Sequence, residues 1–327
     1  MTASATTLQE ERAGLDAYSR VVAGVAERLL PAVASLRVMA PVDGGRRPVG
    51  SGSAVALTPD GFLLTSAHVV ARAHGGTAVL TDGRELDFSV VGADPLSDLA
   101  VLRVAAGDLP AAELGDAGEL VVGQLVVAVG SPLGFAGSVS AGVVSAVGRS
   151  FPTRAGRTAR LVENVIQTDA ALHPGSSGGA LADSAGRVVG INTALVGPGA
   201  GQGLGLAVPV DTVSRGIIAA LVRDGRVRRG YIGVAGGARP LPPRAAAATG
   251  RQHGVEVLSV VTDSPADAAG LRPEDLILSL DGQGVAGVAD LQRLLTDERI
   301  DRPITLEVWR SGDVQLLEAR PLELPAD

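Results

Sequence analysis

Residues 168–181 read Thr168-Asp169-Ala170-Ala171-Leu172-His173-Pro174-Gly175-Ser176-Ser177-Gly178-Gly179-Ala180-Leu181. Apolar flanks enclose a tight loop in which glycines surround a pair of serines. A backbone that must take left-handed conformations, or let another chain come close, needs residues without a Cβ, and this loop places them on both sides of Ser177. Gly175 and Ser177 lie two apart, so their N–H groups can converge on one point, the arrangement that an oxyanion requires. A Gly/Ser loop alone is more often a linker or hairpin turn. Its meaning depends on what the rest of the chain can bring to Ser177.

The chain has 327 residues, a length that suggests about two domains. Its 28 basic residues are all Arg, and against 35 Asp+Glu they leave a net charge of −7. Bulk charge therefore invites neither nucleic acid nor an anionic membrane surface. Lys and Cys are absent. That excludes thiol nucleophiles, disulfides, thiolate metal sites, Schiff-base lysines, Ser-Lys dyads and the lysine of a phosphate-binding loop. With 46% hydrophobic but only 2% aromatic residues, the cores must rest on Val, Leu, Ile and Ala, and stacking platforms for single-stranded nucleic acid are not expected.

Leu15, Tyr18, Val22, Val25 and Leu29 recur at helical spacing, which predicts a helix over residues 8–30 that Pro31 closes. From Val33 to Val210 the pattern becomes short Val- and Ala-rich runs between Gly, Pro and Asp turns, such as Phe62–Leu64, Leu99–Val104, Val126–Val129 and Val188–Ile191. Many short strands with regular turns indicate an all-β barrel or sandwich. A helical stretch, Asp211–Arg223, precedes a smaller unit that begins near Tyr231. There the strands Glu256–Val260, Leu276–Leu280 and Ile304–Trp309 bracket a helix at Ala289–Leu295, an α+β mixture. The expected layout is a helical segment 1–32, a first domain 33–215, a linker 216–230 and a second domain 231–322.

With thiols and lysines excluded, a serine activated by His and a carboxylate is the economical chemistry to test. His68 follows Phe62-Leu63-Leu64-Thr65-Ser66-Ala67, so it stands where a strand ends, a place where rigid scaffolds present reactive groups. Asp98 stands where the turn Asp94-Pro95-Leu96-Ser97 runs into the apolar strand from Leu99. A carboxylate there can hold an imidazole in one tautomer and stabilise its cation. Asp94 before Pro95 reads as a turn cap, and His74 and His253 as ordinary side chains satisfied by backbone. His at 68, 74, 173 and 253 shows no recurring ligand spacing, so no metal and no cofactor is expected. A dinucleotide site on Gly130–Gly134 fails because no helix pattern follows and the glycine spacing is wrong.

His68, Asp98 and Ser177 in that order resemble the triad of the HtrA (Deg) family of serine proteases. The segments Gly50-Ser51-Gly52-Ser53, Asp60–Val70, Asp94–Leu102, Val129–Gly134, Ser140–Ser145 and Gly175–Gly179 resemble that family's motifs in order. The resemblance implies a trypsin-like double β-barrel followed by a peptide-binding PDZ domain. It makes Ser177 the nucleophile, His68 the base, Asp98 its partner, and the N–H groups of Gly175 and Ser177 the oxyanion hole. Val189–Ala194 and Gly203–Pro209 look like the family's substrate-pocket strands, and Ala171, Leu172 and Thr193 are the expected pocket residues. No charge precedes the nucleophile where a Lys/Arg-selecting pocket needs an Asp, so small or medium apolar side chains are expected there. The chain departs from the family's Asn-Pro-Gly-Asn-Ser-Gly-Gly-Pro with His173, Ser176 and Ala180. Ser176 offers no carboxylate to capture a new N-terminal ammonium, so loop ordering rather than zymogen cleavage is the expected control.

The second unit carries Tyr231-Ile232-Gly233-Val234, Ser264–Leu271, Asp275–Gly282 and Asp290-Leu291, which look like a bacterial-type PDZ domain, with Glu274 replacing a usual Gly. Tyr231, Ile232, Gly233 and Val234 are then the loop for a peptide carboxylate, with Leu291, Leu294 and Leu295 as the opposite wall. Ala235–Gly250 is Gly/Ala/Pro-rich and reads as an unpatterned loop. The expected function is an ATP-independent endopeptidase for unfolded segments, its partners being unfolded polypeptides and C-terminal peptides. The alternative is a catalytically inactive PDZ-bearing peptide binder or chaperone. As written, the chain shows no signal peptide or membrane span, which reads as cytoplasmic, or as extracytoplasmic if an export signal was removed. Relatives form trimers through aromatic contacts of their N-terminal segments; residues 1–30 here offer only Tyr18, and a homotrimer is the assembly to test.

Overall fold

Runs of Val, Ala and Leu too short to build a core as helices pair here into antiparallel ladders that close on themselves. The computed structural model describes residues 16–324, apart from 43–44, 72, 74, 132–136, 156–157 and 194–203. The chain divides into two units, Met1–Arg226 and Val227–Asp327. The first opens with α1 (Ala17–Leu29) and continues through β1 (Val33–Val42), β2 (Gly45–Ala56), β3 (Phe62–Ser66), α2 (Ala67–Val70), β4 (Gly75–Val79), β5 (Glu85–Asp94) and β6 (Leu99–Val104). These strands form a closed barrel in the order β1-β2-β3-β6-β5-β4. The next six are β7 (Leu125–Gly130), β8 (Ser138–Ala155), β9 (Thr158–Thr168), β10 (Ala180–Ala182), β11 (Val188–Thr193) and β12 (Gly205–Pro209). They close a second barrel, β10-β11-β12-β9-β8-β7.

Closure removes sheet edges, and aliphatic side chains fill what it encloses. Leu36, Leu63, Leu102 and Phe88 pack the first barrel, and Val126, Val144, Ile166 and Leu181 the second. Strands β11 and β12 are buried along their whole length, so neither shows apolar and polar residues in alternation, and β11 ends in two buried polar residues, Asn192 and Thr193. Asp16 caps α1 by accepting from the Ser19 amide at 2.7 Å, and Val25 and Leu29 bury its inner face. The helix is tied to both barrels. Arg28 donates to the Ala185 carbonyl between β10 and β11, and the Thr81 hydroxyl after β4 donates to the Leu30 carbonyl at 3.3 Å. The expected helix before residue 16 lies outside the described residues.

Helix α3 (Thr212–Asp224) starts at a reciprocal cap between Asp211 and Ser214 and ends at Gly225 with φ +69°. It runs across residue 215, so much of the expected linker 216–230 is helix belonging to the first unit. A helix that keeps its apolar face, Ile218 and Leu221, buried cannot act as a linker.

The second unit holds β13 (Gly230–Tyr231), β14 (Val234–Pro240), α4 (Pro243–Thr249), β15 (His253–Val260), α5 (Pro265–Ala268), β16 (Leu276–Leu280), β17 (Gln283–Gly284), α6 (Val288–Leu294), β18 (Ile304–Arg310), β19 (Asp313–Ala319) and β20 (Leu322–Glu323). Its main sheet runs β14-β15-β16-β18-β19, and β13 pairs with β20. The segment expected as an unpatterned loop is thus a strand followed by a helix. β14 takes its conformation from its ladder with β15, which small residues permit without specifying. No helix among the described residues is long and apolar enough to cross a membrane.

Leu102 is fully buried at the centre of the first barrel. Leu102→Ala is expected to destabilise the first unit by about 2–5 kcal/mol, read as a lower denaturant midpoint by tryptophan-independent far-UV circular dichroism.

Candidate active site

Ser66 ends β3 and His68 lies in the single turn of α2 that follows, so the strand fixes where the imidazole begins. Asp98 occupies the turn before β6 with φ +55°, a left-handed conformation that Asp tolerates better than most side chains. The two segments are clasped twice through the backbone. The Ala67 amide donates to the Asp98 carbonyl at 3.0 Å, and the His68 amide to Asp98 Oδ1 at 3.0 Å. His68 Nδ1 then lies 2.9 Å from both Asp98 carboxylate oxygens. A carboxylate only accepts, so the ring proton sits on Nδ1 and Nε2 presents its lone pair. The Asp98 side chain is 6% exposed and that of His68 36%, a buried anchor under an open ring.

Thr193, expected in the substrate pocket, also reaches the carboxylate. It is buried, and its hydroxyl donates to Asp98 Oδ2 at 2.8 Å. The carboxylate therefore has a backbone N–H, an imidazole N–H and a hydroxyl as donors. Sequence reading passed over this use of Thr193, because the pairing joins residues 95 apart across two barrels.

The Ser177 loop reaches the same place from the second barrel. The Ser53 amide on β2 donates to the Ser177 carbonyl at 2.7 Å. At Gly52 a Cβ would lie 2.6 Å from Val69 Cγ1 and 3.1 Å from the Ser177 carbonyl, so the residue after His68 and the carbonyl of Ser177 flank one glycine. Gly178, with φ +85°, sits so close to β2 and β3 that a Cβ would fall 2.1 Å from the Ser53 carbonyl and from Thr65 Oγ1. Asn192 on β11 joins the halves: its carbonyl accepts from the Gly178 amide at 2.7 Å and from the Ser66 hydroxyl at 3.3 Å. Its Nδ2 donates to the Ala180 carbonyl at 2.8 Å, while Oδ1 is buried without a hydrogen-bond partner among the described residues.

Each unit matches a family model. Residues 52–191 match a trypsin-like peptidase domain, and residues 230–320 a PDZ domain. A DegP-like periplasmic serine endoprotease of Pseudomonas fulva is 39% identical over 293 residues, 88% of this chain and 59% of that protein. The serine protease HhoB of Synechocystis is 36% identical, over 86% of this chain and 68% of its own length. The solved HtrA-type protease AlgW with a tripeptide superposes with a TM-score of 0.80 at 35% identity, covering 94% of this chain and 98% of AlgW. The chain belongs to the HtrA-type protease family. It spans about 59% of the length of the DegP-like relative.

Within this HtrA-type chain, Ala171 and Leu172 line a cleft with Ser138, Ser140, Ser176 and Asn192 that is too tight in this structure to admit a water molecule. The cleft borders the Ser177 loop, and its walls carry no charge.

In the PDZ unit, Ile232 and Gly233 turn their carbonyls inward, to the amides of Ala266 at 2.8 Å and Val261 at 2.9 Å. Because a trans peptide sets N–H opposite C=O, the Gly233 and Val234 amides of those same planes point the other way. Gly233 has φ +84°, and a Cβ there would fall 2.2 Å from Ser264 Cβ. β14 is the end strand of its sheet. Leu291, Leu294 and Leu295, expected as a groove wall, are instead buried in the core with Ile232, Val255 and Leu306, because α6 turns its apolar face to the sheet.

Gly178→Ala adds a methyl group where two heavy atoms already stand and in a left-handed backbone. It is expected to lower stability by about 2–4 kcal/mol, measured as the midpoint of chemical denaturation.

Proposed function

We propose that this chain is a serine endopeptidase that cuts unfolded polypeptide segments, with His68, Asp98 and Ser177 as its triad. The observation that carries the reading is the buried Asp98 carboxylate at 2.9 Å from His68 Nδ1, on a turn that meets the Ser177 loop across Gly52. Ser177 Oγ attacks the scissile carbonyl carbon as His68 Nε2 takes its proton, and Asp98 stabilises the imidazolium. The Gly175 and Ser177 amides face the oxyanion of the tetrahedral intermediate. His68 returns the proton to the leaving amine, and a water activated by the same imidazole hydrolyses the acyl-enzyme.

The uncharged walls at Ala171 and Leu172 favour an apolar rather than a charged side chain on the acyl side of the cut bond, for which the cleft must open. The PDZ unit takes a free C-terminus: its carboxylate meets the Gly233 and Val234 amides, and the peptide adds a strand to the open edge of β14. Two observations support peptide binding, the outward amides of that loop and the tripeptide and decapeptide in the solved AlgW structures. The DegP-like relatives are named periplasmic, which favours the extracytoplasmic alternative over the cytoplasmic expectation. The net charge of −7 agrees with protein rather than nucleic acid as partner. For assembly we retain the homotrimer, which light scattering on the full chain supports at three times the 32.8 kDa chain mass and overturns at one.

Ser177→Ala is expected to lower hydrolysis of unfolded casein by about 10³-fold or more with the fold intact by circular dichroism. A serine-reactive phosphonate labels the wild type and not the variant. Wild-type protein that neither cuts casein nor takes the label would leave a PDZ-bearing peptide binder as the surviving function.

Amidating the C-terminus of an apolar peptide is expected to weaken its binding about tenfold or more, measured by fluorescence anisotropy on the full chain. Equal affinities for acid and amide would overturn the carboxylate loop.

A further inference from the structure

Ser53 is fully buried, yet each of its polar atoms is spent on the same small region. Its amide donates to the Ser177 carbonyl at 2.7 Å, and its carbonyl accepts from Thr65 Oγ1 at 2.7 Å. Its hydroxyl lies 2.8 Å from the Gly175 carbonyl and 2.9 Å from the Ser131 amide. The direction of those last two bonds is fixed by chemistry. An amide only donates and a carbonyl only accepts, so Oγ accepts from Ser131 and gives its single proton to Gly175.

The consequence is geometric. Three successive peptide planes run through the Ser177 loop, and each is held at both ends or beside the amide that matters. The plane between Gly175 and Ser176 is held by Ser53 Oγ on its carbonyl and by the His173 carbonyl on its amide, at 2.8 and 2.9 Å. The plane between Ser177 and Gly178 is held by the Ser53 amide on its carbonyl and by the Asn192 carbonyl on its amide, both at 2.7 Å. Between them lies the plane that carries the Ser177 N–H, with its Ser176 carbonyl accepting from Gly179 at 3.0 Å. One residue of the first barrel thus grips both neighbours of that plane. Gly175 has φ +95°, open to glycine and unconstrained by any side chain of its own, so external bonds set its peptide orientation.

We infer that the Ser53 hydroxyl is a positioning group for the oxyanion hole: by holding the Gly175 carbonyl against β2 it fixes the peptide plane next to the one that carries the Ser177 N–H, and with it the direction of that amide. This inference rests on the proposed endopeptidase reading. The Ser53 amide contact survives in any substitution except proline, whereas the hydroxyl contact belongs to the side chain and can be removed alone.

The test is steady-state cleavage of a short peptide by the full chain, comparing wild type, Ser53→Ala and Ser53→Thr. A second readout is the ratio of inhibition by a peptide aldehyde, whose adduct with Ser177 places an oxyanion in the hole, to that by the matching peptide amide. For Ser53→Ala, kcat is expected to fall about 10–100-fold with KM within about twofold, as displacement of a transition-state contact requires. The aldehyde preference should fall by the same factor, and Ser53→Thr, which keeps a hydroxyl, should recover most of both. A merely structural residue would lower the melting temperature without changing the aldehyde-to-amide ratio. Should Ser53→Ala fail to fold, Ser53→Cys is measured in its place, since it keeps the volume and exchanges a strong donor for a weak one. Wild-type kcat and aldehyde preference in a folded Ala or Cys variant would overturn the inference. Failure of the underlying reading would show separately, as wild-type cleavage that is absent or indifferent to Ser177→Ala.

Discussion

The seam between the two barrels is what the candidate site depends on. Neither barrel holds a complete set of groups: His68 and Asp98 come from the first, Ser177 from the second. They are brought together by a few backbone and hydroxyl bonds, Ser53 to Ser177, Gly178 and Ser66 to Asn192, and Thr193 to Asp98. All involve buried or half-buried groups, where a lost partner costs about 1–3 kcal/mol and water cannot substitute. Glycine makes the approach possible, since a Cβ at Gly178 would stand where the first barrel already has atoms, and one at Gly52 would clash with Val69 and crowd the Ser177 carbonyl. Close packing and hydrogen bonding are here one constraint: the backbones meet only where side chains are missing, and there they satisfy one another.

That constraint explains what was legible in the sequence. The strand runs, the two-unit layout and the order His68, Asp98, Ser177 follow from local composition and motif, and the clasp of His68 by Asp98 agrees with them. Thr193 and Ser53 were not assignable to their partners, because a hydroxyl in an apolar strand looks the same whether it meets solvent, its own backbone or a carboxylate 95 residues away. The run Ala235–Gly250 was misread for the opposite reason. Alanine and glycine carry little strand preference, and β14 exists because β15 offers it a ladder. Leu291, Leu294 and Leu295 share one helix face as their spacing implies, but spacing does not say what that face meets.

The PDZ loop and the Ser177 loop use one device for opposite purposes. In each, a bound carbonyl turns the amide of the same peptide plane the other way, Ser176 to Gly179 for the Ser177 N–H, Ile232 and Gly233 to Ala266 and Val261 for the Gly233 and Val234 N–H groups, beside a glycine with positive φ. At Gly233 the outward amides suit a carboxylate that arrives already charged. At Ser177 the outward amide suits a charge that exists only during reaction. The first needs affinity for a stable anion, and the second needs fixed orientation before the charge develops, which is why the second loop is tied at more points.

Those ties also determine how the loop can be controlled. Ser176 stands where a carboxylate could have formed an ion pair with a new N-terminus, so the ordered loop is held by neutral hydrogen bonds instead. Each such bond contributes about 1 kcal/mol net, roughly half of what a charge-assisted bond supplies. A ligand that prefers one arrangement of such a loop tenfold adds about 1.4 kcal/mol, comparable with one of these bonds. An ion-paired loop, held by a stronger charge-assisted contact, would respond less to the same ligand. A serine at 176 therefore offers no charge for a newly cut N-terminus to pair with, and what fixes the loop is the set of neutral bonds that Ser53, His173, Gly179 and Asn192 make to it.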